Sequence, residues 1–180
     1  LELTENLRSK ERTYSLLWLL DKTKTAMGSR MLKSMIENPS IDKEEIENRY
    51  DMTSKLLEEF LLKDELKELL DEVYDLERLS GRVSFGNANA RDLLQLKTSL
   101  KVLPRIKEIV EKLEFNLIID DLTDLYNFLE KSVYENPPIG LKEGYLIKEG
   151  YNTELDELKD ARRGGKDFVA RLESVEKERT

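Results

Sequence analysis

The chain has 180 residues, of which 38% are charged and 39% hydrophobic, and its formal net charge is −8. It contains no Cys and no His, which excludes disulfides, thiol catalysis, Ser–His triads and the usual transition-metal sites. No apolar run approaches the length of about 18 residues that a membrane span needs, and no segment reads as a secretory signal. We therefore expect a cytoplasmic protein with no membrane partner. Because the chain opens on Leu1 and not on Met, we also expect it to be part of a larger protein.

The N-terminal third predicts two short apolar elements and one well-delimited helix. Residues 1–5 alternate apolar and acidic side chains and suggest a short strand, and residues 15–20 predict a short apolar helix. Thr25 is a favourable N-cap, and Asn38–Pro39 is a stop signal, so the next helix is predicted over 26–37. Trp18 and the row of methionines at 27, 31 and 35 are expected in the core.

Gly28 lies in the interior of the predicted helix 26–37, where a glycine costs roughly 1 kcal/mol relative to alanine. Helical spacing places Gly28 on the apolar face with Leu32 and Ile36, and it places Arg30 on the opposite polar face. A glycine on an apolar face allows another backbone to approach closely. We therefore predict tight packing at this position.

The middle of the chain predicts a succession of amphipathic helices. Asp42 caps one over 43–62, and Asp64 caps a second, whose apolar pattern runs through to Val83. Asn89 caps a third, which Pro104 kinks or restarts. A fourth helix is predicted over 118–135.

The amino-acid composition of the chain changes after residue 135. Prolines and glycines with alternating apolar residues predict a connector with one or two short strands near 139–149. Asn152 or Thr153 then caps a last helix whose apolar seam has nearly coiled-coil spacing and reaches Thr180. The predicted fold is all-α, with a helical core over 1–150, one long helix over 151–180, and at most one or two short strands near 1–5 and 139–149. The exposed seam needs a partner helix.

No motif in the chain predicts a catalytic, cofactor-binding or metal-binding residue. The stretch GRVSFGNA at 81–88 has the glycines of a phosphate loop but lacks its Lys and hydroxyl residues. Acidic pairs such as Glu58–Glu59 fit solvated helix faces or helix starts better than metal sites. Residues 159–171 carry a local charge of +3, so Arg162, Arg163 and Lys166 are candidate DNA contacts. The same three residues equally fit a helix surface of mixed charge.

The order of motifs carries a family resemblance. The stretches LLDKTKTAMGSRML and DLERL…GR…ANARDL, followed by GYNTELDEL and RLESVEKERT, resemble the core, or lever, region of the bacterial MutS family of DNA mismatch-recognition ATPases. The resemblance covers essentially the whole chain. It implies a helical body from which two long antiparallel helices lead to a clamp around DNA, with residues 152–180 as the outgoing helix.

The resemblance also implies a function for the chain. A lever without catalytic residues would couple ATP-driven changes of state to the clamping of mismatched double-stranded DNA. ATP and Mg²⁺ would bind elsewhere in the family protein, which would form a homodimer and meet a MutL-type partner. Thr25, Gly28 and Arg30 would have a structural role at a tightly packed helix junction. A helical adapter for protein docking and an independent nucleic-acid module remain alternatives.

Overall fold

The computed structural model describes residues 2–165, and in that part of the chain it confirms the all-α prediction, with no β-strand. The helices are α1 (Leu16–Leu20), α2 (Ala26–Glu37), α3 (Lys43–Glu58), α4 (Phe60–Asp71), α5 (Leu76–Ser84), α6 (Ala90–Lys112) and α7 (Thr123–Ser132). A 3₁₀ turn follows at Leu141–Glu143, and residues 153–165 form a further helix, α8.

Helix α6 is the centre of the core because apolar side chains cover two of its flanks. Its residues Leu100 and Ile109 are 1% and 0% exposed. One flank packs against α7 through the buried residues Ala90, Leu100, Leu129 and Val133. The other flank packs against α4 and the turn after it, through Val102, Ile106, Val110, Leu66, Leu69, Leu70 and Val73. Each fully buried Leu or Ile contributes ~1.5–3 kcal/mol, so the α4–α6–α7 layer anchors the fold.

The N-terminal cap of α6 explains where this helix begins, and the packing around Pro104 explains why it is continuous. Asn89 accepts hydrogen bonds from the amides of Arg91 and Asp92, and Asp92 accepts one from the amide of Asn89, which completes a capping box. Helix α6 runs through Pro104, so the helix does not restart there, and a kink at this residue stays a prediction. Val102 and Ile106 on either side of Pro104 are buried, so packing overrides the local preference of proline.

Helices α3 and α4 divide at a different residue from the predicted one. The predicted helix over 43–62 ends at Glu58, and α4 begins at Phe60, with Glu59 between them in a non-helical conformation. Asp64 therefore lies inside α4 and caps nothing. The predicted second helix is also interrupted, because Asp75 caps a separate helix, α5.

Helix α7 is shorter than the predicted span of 118–135. It begins at Thr123 because Leu122 has a φ of 48°, in the left-handed region, which a helix of L-residues cannot continue through. The strands expected near 139–149 do not form. One isolated antiparallel bridge joins Val133 to Ile147.

The N-terminal residues are also not a strand. Over residues 2–5 the chain bends, and the carbonyls of Glu2 and Leu3 accept hydrogen bonds from the amides of Leu16 and Leu17 at 2.9 and 2.8 Å. These amides belong to the first turn of α1, where a helix has no internal acceptor for them.

The expectation that Trp18 and the methionine row lie in the core is wrong. Trp18 is 46% exposed, Met31 is 59% exposed, and no residue of α2 is buried. Amphipathic spacing identifies the face of a helix that can be covered. It does not show that other residues of this chain pack against that face.

Helix α8 begins where the sequence predicts it. Asn152 is the cap, since its side-chain oxygen accepts a hydrogen bond from the amide of Leu155 at 2.9 Å. Residues 153–165 are helical. The rest of the predicted seam, up to Thr180, lies outside the described residues, so the division into 1–150 and 151–180 remains a prediction.

Candidate functional site

The turn between α1 and α2 is organised by the carboxylate of Asp21, which is 8% exposed. It accepts hydrogen bonds from the amide and hydroxyl of Thr23 at 3.0 and 2.6 Å, from the Ser29 hydroxyl, and from Arg12. These donors, the two hydroxyls above all, hold the pKa of Asp21 well below its usual range. One carboxylate thus connects the end of α1 to the first turn of α2.

Thr25 and Gly28 form the N-terminal cap of α2. The Thr25 hydroxyl accepts a hydrogen bond from the Gly28 amide at 3.0 Å. A Cβ atom added at Gly28 would lie 3.1 Å from this hydroxyl oxygen and 3.3 Å from the Cβ of Thr23. The nearest atoms therefore belong to the turn that leads into α2, whereas we expected the backbone of another helix. Gly28 leaves room for the cap itself.

Arg30 connects α2 to the start of α5. Its two terminal nitrogens donate to the two carboxylate oxygens of Asp75 at 2.6 and 2.7 Å, and its Nε donates to Glu77 at 3.1 Å. We call Arg30, Asp75 and Glu77 the polar junction. A bidentate contact of guanidinium with carboxylate fixes orientation as well as distance, so the polar junction sets the direction of α2 relative to α5.

Charge within the polar junction is strongly stabilised. Arg30, with help from the amide and side chain of Arg78, lowers the pKa of Asp75 to about 2. The two carboxylates raise the pKa of Arg30 above its already high usual value. Asp75 is also the N-cap of α5, where it accepts a hydrogen bond from the Arg78 amide at 3.3 Å. The same carboxylate therefore begins one helix and holds another.

A second ion pair joins the start of α2 to the end of α4. The Nζ of Lys24, just before α2, lies 2.7 Å from a carboxylate oxygen of Asp71 at the end of α4. Since no residue of α2 is fully buried, these polar contacts contribute to the position of α2 on the body, together with its half-buried apolar side chains.

Sequence reasoning missed Ser99, which supports the polar junction from α6. Ser99 is 0% exposed. Its hydroxyl accepts a hydrogen bond from the amide of Tyr74 at 2.9 Å and donates to the carbonyl of Gln95 at 2.9 Å. Tyr74 directly precedes Asp75. The signal available in the sequence was a serine next to Leu100 in a stripe of leucines, where a polar residue needs a buried partner.

The basic residues of α8 have different surroundings. Arg163 forms an ion pair with Glu149, which raises the pKa of its guanidinium. Arg162 approaches Gly144, at the rim of a cavity of about 300 Å³ between α8 and residues 141–147. Lys166, the third predicted DNA contact, lies outside the described residues. The structure thus brings Arg162 and Arg163 to one rim, with the charge of Arg163 already paired.

The glycine stretch at 81–88 is not a phosphate loop. Gly81 lies inside α5, and Gly86, with a φ of 70°, ends the turn after it. Over residues 2–165, no group of three or more Asp or Glu side chains has the arrangement of a metal site. In the same part of the chain, no helix is both long and apolar enough to cross a membrane.

Comparison with known proteins gives a consistent result over the whole chain. The family model described as MutS domain III matches residues 1–178. The chain is 55% identical to the DNA mismatch repair protein MutS of Bacillus pumilus (strain SAFR-032) and 54% identical to that of Bacillus subtilis (strain 168), each match covering 100% of the chain and 22% of the relative. The Clostridium perfringens protein of the same name is 49% identical, over 100% of the chain and 20% of the relative. The chain thus spans about a fifth of the length of these relatives.

Proposed function

Because the chain belongs to the MutS domain III family, we propose that it acts as a lever in a DNA mismatch repair protein. In this proposal the lever couples ATP-driven changes of state to the clamping of mismatched double-stranded DNA. The chain carries no catalytic step. ATP and Mg²⁺ bind in other parts of such a protein, which works in the cytoplasm as a homodimer with a MutL-type partner.

The observation that carries this proposal is the polar junction. Within each of its states, a lever must hold the direction of one helix relative to the next without yielding at the contact. The bidentate contact of Arg30 with Asp75 has this property, because two parallel hydrogen bonds resist rotation as well as separation. Since Asp75 also caps α5, a movement of α2 is transmitted directly to the first turn of α5.

The coupling proposal requires two arrangements of packed elements that both the nucleotide and the DNA influence. An ion pair suits such a contact better than a buried apolar interface, because it can break and re-form without exposing core side chains to water. Arg30 is 39% exposed at its side chain, so water is available when the contact opens.

The test uses a full-length MutS protein that carries this sequence as its domain III. The affinity for a mismatched duplex is measured with and without an ATP analogue, and the ratio of the two affinities reports the coupling. We expect Arg30→Met to reduce this ratio about two- to thirtyfold.

Arg105→Met is the matched control. It removes an equally bidentate pair, with Glu65 at 2.6 and 2.8 Å, that lies between α4 and α6 inside the body. We expect the control to leave the affinity ratio unchanged. Equal ratios for the Arg30 and Arg105 variants would refute the lever role of the polar junction.

Direct DNA contact by the basic stretch is a smaller part of the proposal. Arg162 and Lys166 are the candidates, and Arg163 contributes less because Glu149 already pairs with it. If these residues contact phosphates, Arg162→Gln should weaken binding equally for matched and mismatched duplexes and reduce its dependence on salt.

A helical adapter is the second candidate function, and the exposed face of α1 favours it. Leu19 and Leu20 are 62% and 48% exposed. An adapter predicts that Leu19→Asp abolishes binding of a MutL-type protein and leaves the affinity ratio intact. A lever alone predicts normal binding of that partner by the same variant.

A further inference from the structure

A continuous chain of polar contacts runs from the core to α2. It begins at Ser99 on α6, whose hydroxyl accepts the Tyr74 amide. It continues along the backbone to Asp75 and then through the carboxylate to Arg30. Ser99 and Arg30 do not contact each other, yet only one peptide unit separates the residues that they hold.

We propose that Ser99 is a positioning residue, which fixes the turn between α4 and α5 and so holds Asp75 in place for Arg30. This inference deepens the lever function and rests on it for its biological meaning. The contacts themselves are local, so they are testable without DNA or nucleotide.

The burial of Ser99 makes its hydroxyl difficult to replace. At 0% exposure, water cannot take the place of this hydroxyl. The loss of a buried acceptor leaves the opposite donor unsatisfied, which costs more than a hydrogen bond lost to solvent. Without Ser99, the Tyr74 amide must turn toward solvent, and the Asp75 backbone must move with it.

Neighbouring contacts do not fix the turn in the same way. The amides of Glu72 and Val73 donate to Leu69 and Leu70, both at 3.1 Å, within the end of α4. The Tyr74 amide is the one that reaches across to α6. Among the backbone amides of this turn, the link to α6 therefore rests on a single hydrogen bond, beside the packing of Val73.

Ser132 on α7 provides a matched control. It is 4% exposed, and its hydroxyl donates to the carbonyl of Phe128 at 2.7 Å, four residues earlier in the same helix. Ser99 makes the same kind of bond to Gln95 and, in addition, the bond to Tyr74. Comparing Ser99→Ala with Ser132→Ala thus isolates the contact with Tyr74.

The first measurement is the titration of the Asp75 carboxyl by NMR in the 180-residue chain. Arg30 and Arg78 are the charged groups that face this carboxyl. We expect Ser99→Ala to raise the pKa of Asp75 from about 2 toward its ordinary range, and Ser132→Ala to leave it unchanged. An unchanged pKa in a folded Ser99→Ala variant would overturn the proposal.

The second measurement needs no substitution in the core and still decides the question if Ser99→Ala fails to fold. Coupling is reciprocal, so Arg30→Met should loosen the turn from the other end. We expect the Tyr74 amide to exchange its hydrogen about two- to thirtyfold faster in this variant. Arg105→Met should not change that rate, and an unchanged rate in Arg30→Met would also overturn the proposal.

These outcomes are separable from those that test the lever. If the polar junction has no influence on DNA affinity, the pKa and the exchange rate still report the link between Ser99 and Arg30. If the pKa of Asp75 and the exchange rate of the Tyr74 amide show no link between Ser99 and Arg30, the affinity ratio can still respond to Arg30→Met.

Discussion

Replacing Asp92 by alanine should produce the largest loss of stability among single changes at a helix end. The carboxylate is 6% exposed and accepts hydrogen bonds from the Asn89 amide at 3.0 Å and from Arg82 of α5. A buried hydrogen bond to a charged group contributes about 1.5–3 kcal/mol, and the capping interaction about 1 kcal/mol. Arg82 is 48% exposed and rehydrates, so the two terms add without a further charge penalty, to about 3 kcal/mol.

The assay is urea unfolding of the 180-residue chain, with the slope of the transition checked between variants. Asp92→Asn should lose about half as much as Asp92→Ala, because the amide oxygen still accepts from Asn89. Glu44→Ala, at an exposed position in the first turn of α3, should lose about 0.5 kcal/mol or less. A loss below about 1 kcal/mol for Asp92→Ala would show that the capping box and the ion pair do not secure α6.

Three further predictions concern α2, α5 and the residues that cap or contact them. Gly81→Ala should stabilise the chain by about 0.5–1 kcal/mol, because no atom lies within 4 Å of the new Cβ. Gly28→Ala should give no gain in stability, because its Cβ would press on the cap of α2. A comparison of the urea midpoints of the two variants tests this difference. Thr25→Ala should cost about 1 kcal/mol in the same assay, because the Gly28 amide loses its acceptor. The folded-state pKa values of Asp21 and Asp75 lie below the ordinary value of 3.8, so both carboxylates stabilise the fold above that pH. This contribution to stability should be lost as the pH falls from about 4 toward 2. Thermal unfolding at each pH measures the loss.

The sequence correctly predicted several helix ends that have a capping side chain or a following proline. Helix α2 begins and ends where Thr25 and Asn38 indicated, because a capping side chain and a following proline act within a few residues. The start of α6 at Asn89 followed for the same reason.

The missed boundaries have causes that the sequence does not display locally. The apolar stripe is continuous across Glu59, and no glycine or proline marks the break between α3 and α4. Leu122 begins α7 from a left-handed conformation that leucine rarely adopts. Leu122 packs against the core between α6 and α7, whereas Glu59 and Phe60 are exposed, and no packing contact explains the break between α3 and α4.

The sequence predicted the residues that α2 contributes to the candidate site, but it did not predict their partners. Thr25, Gly28 and Arg30 stand in one short motif, and the structure places all three at the start of α2. Their partners are distant in the chain: Asp75 is 45 residues from Arg30, and Ser99 is 25 residues from Tyr74. Pairing over such separations depends on the packing of α4, α5 and α6, which periodicity alone does not determine.

The exposed position of Trp18 has a practical consequence. It is the single tryptophan of the chain, and the Tyr14 ring lies 5.3 Å away, centroid to centroid. Its indole fluorescence is therefore an intrinsic optical reporter for α1, free of overlapping emission from any second indole. Quenching by acrylamide would follow, in real time and without a label, whatever comes to cover that face.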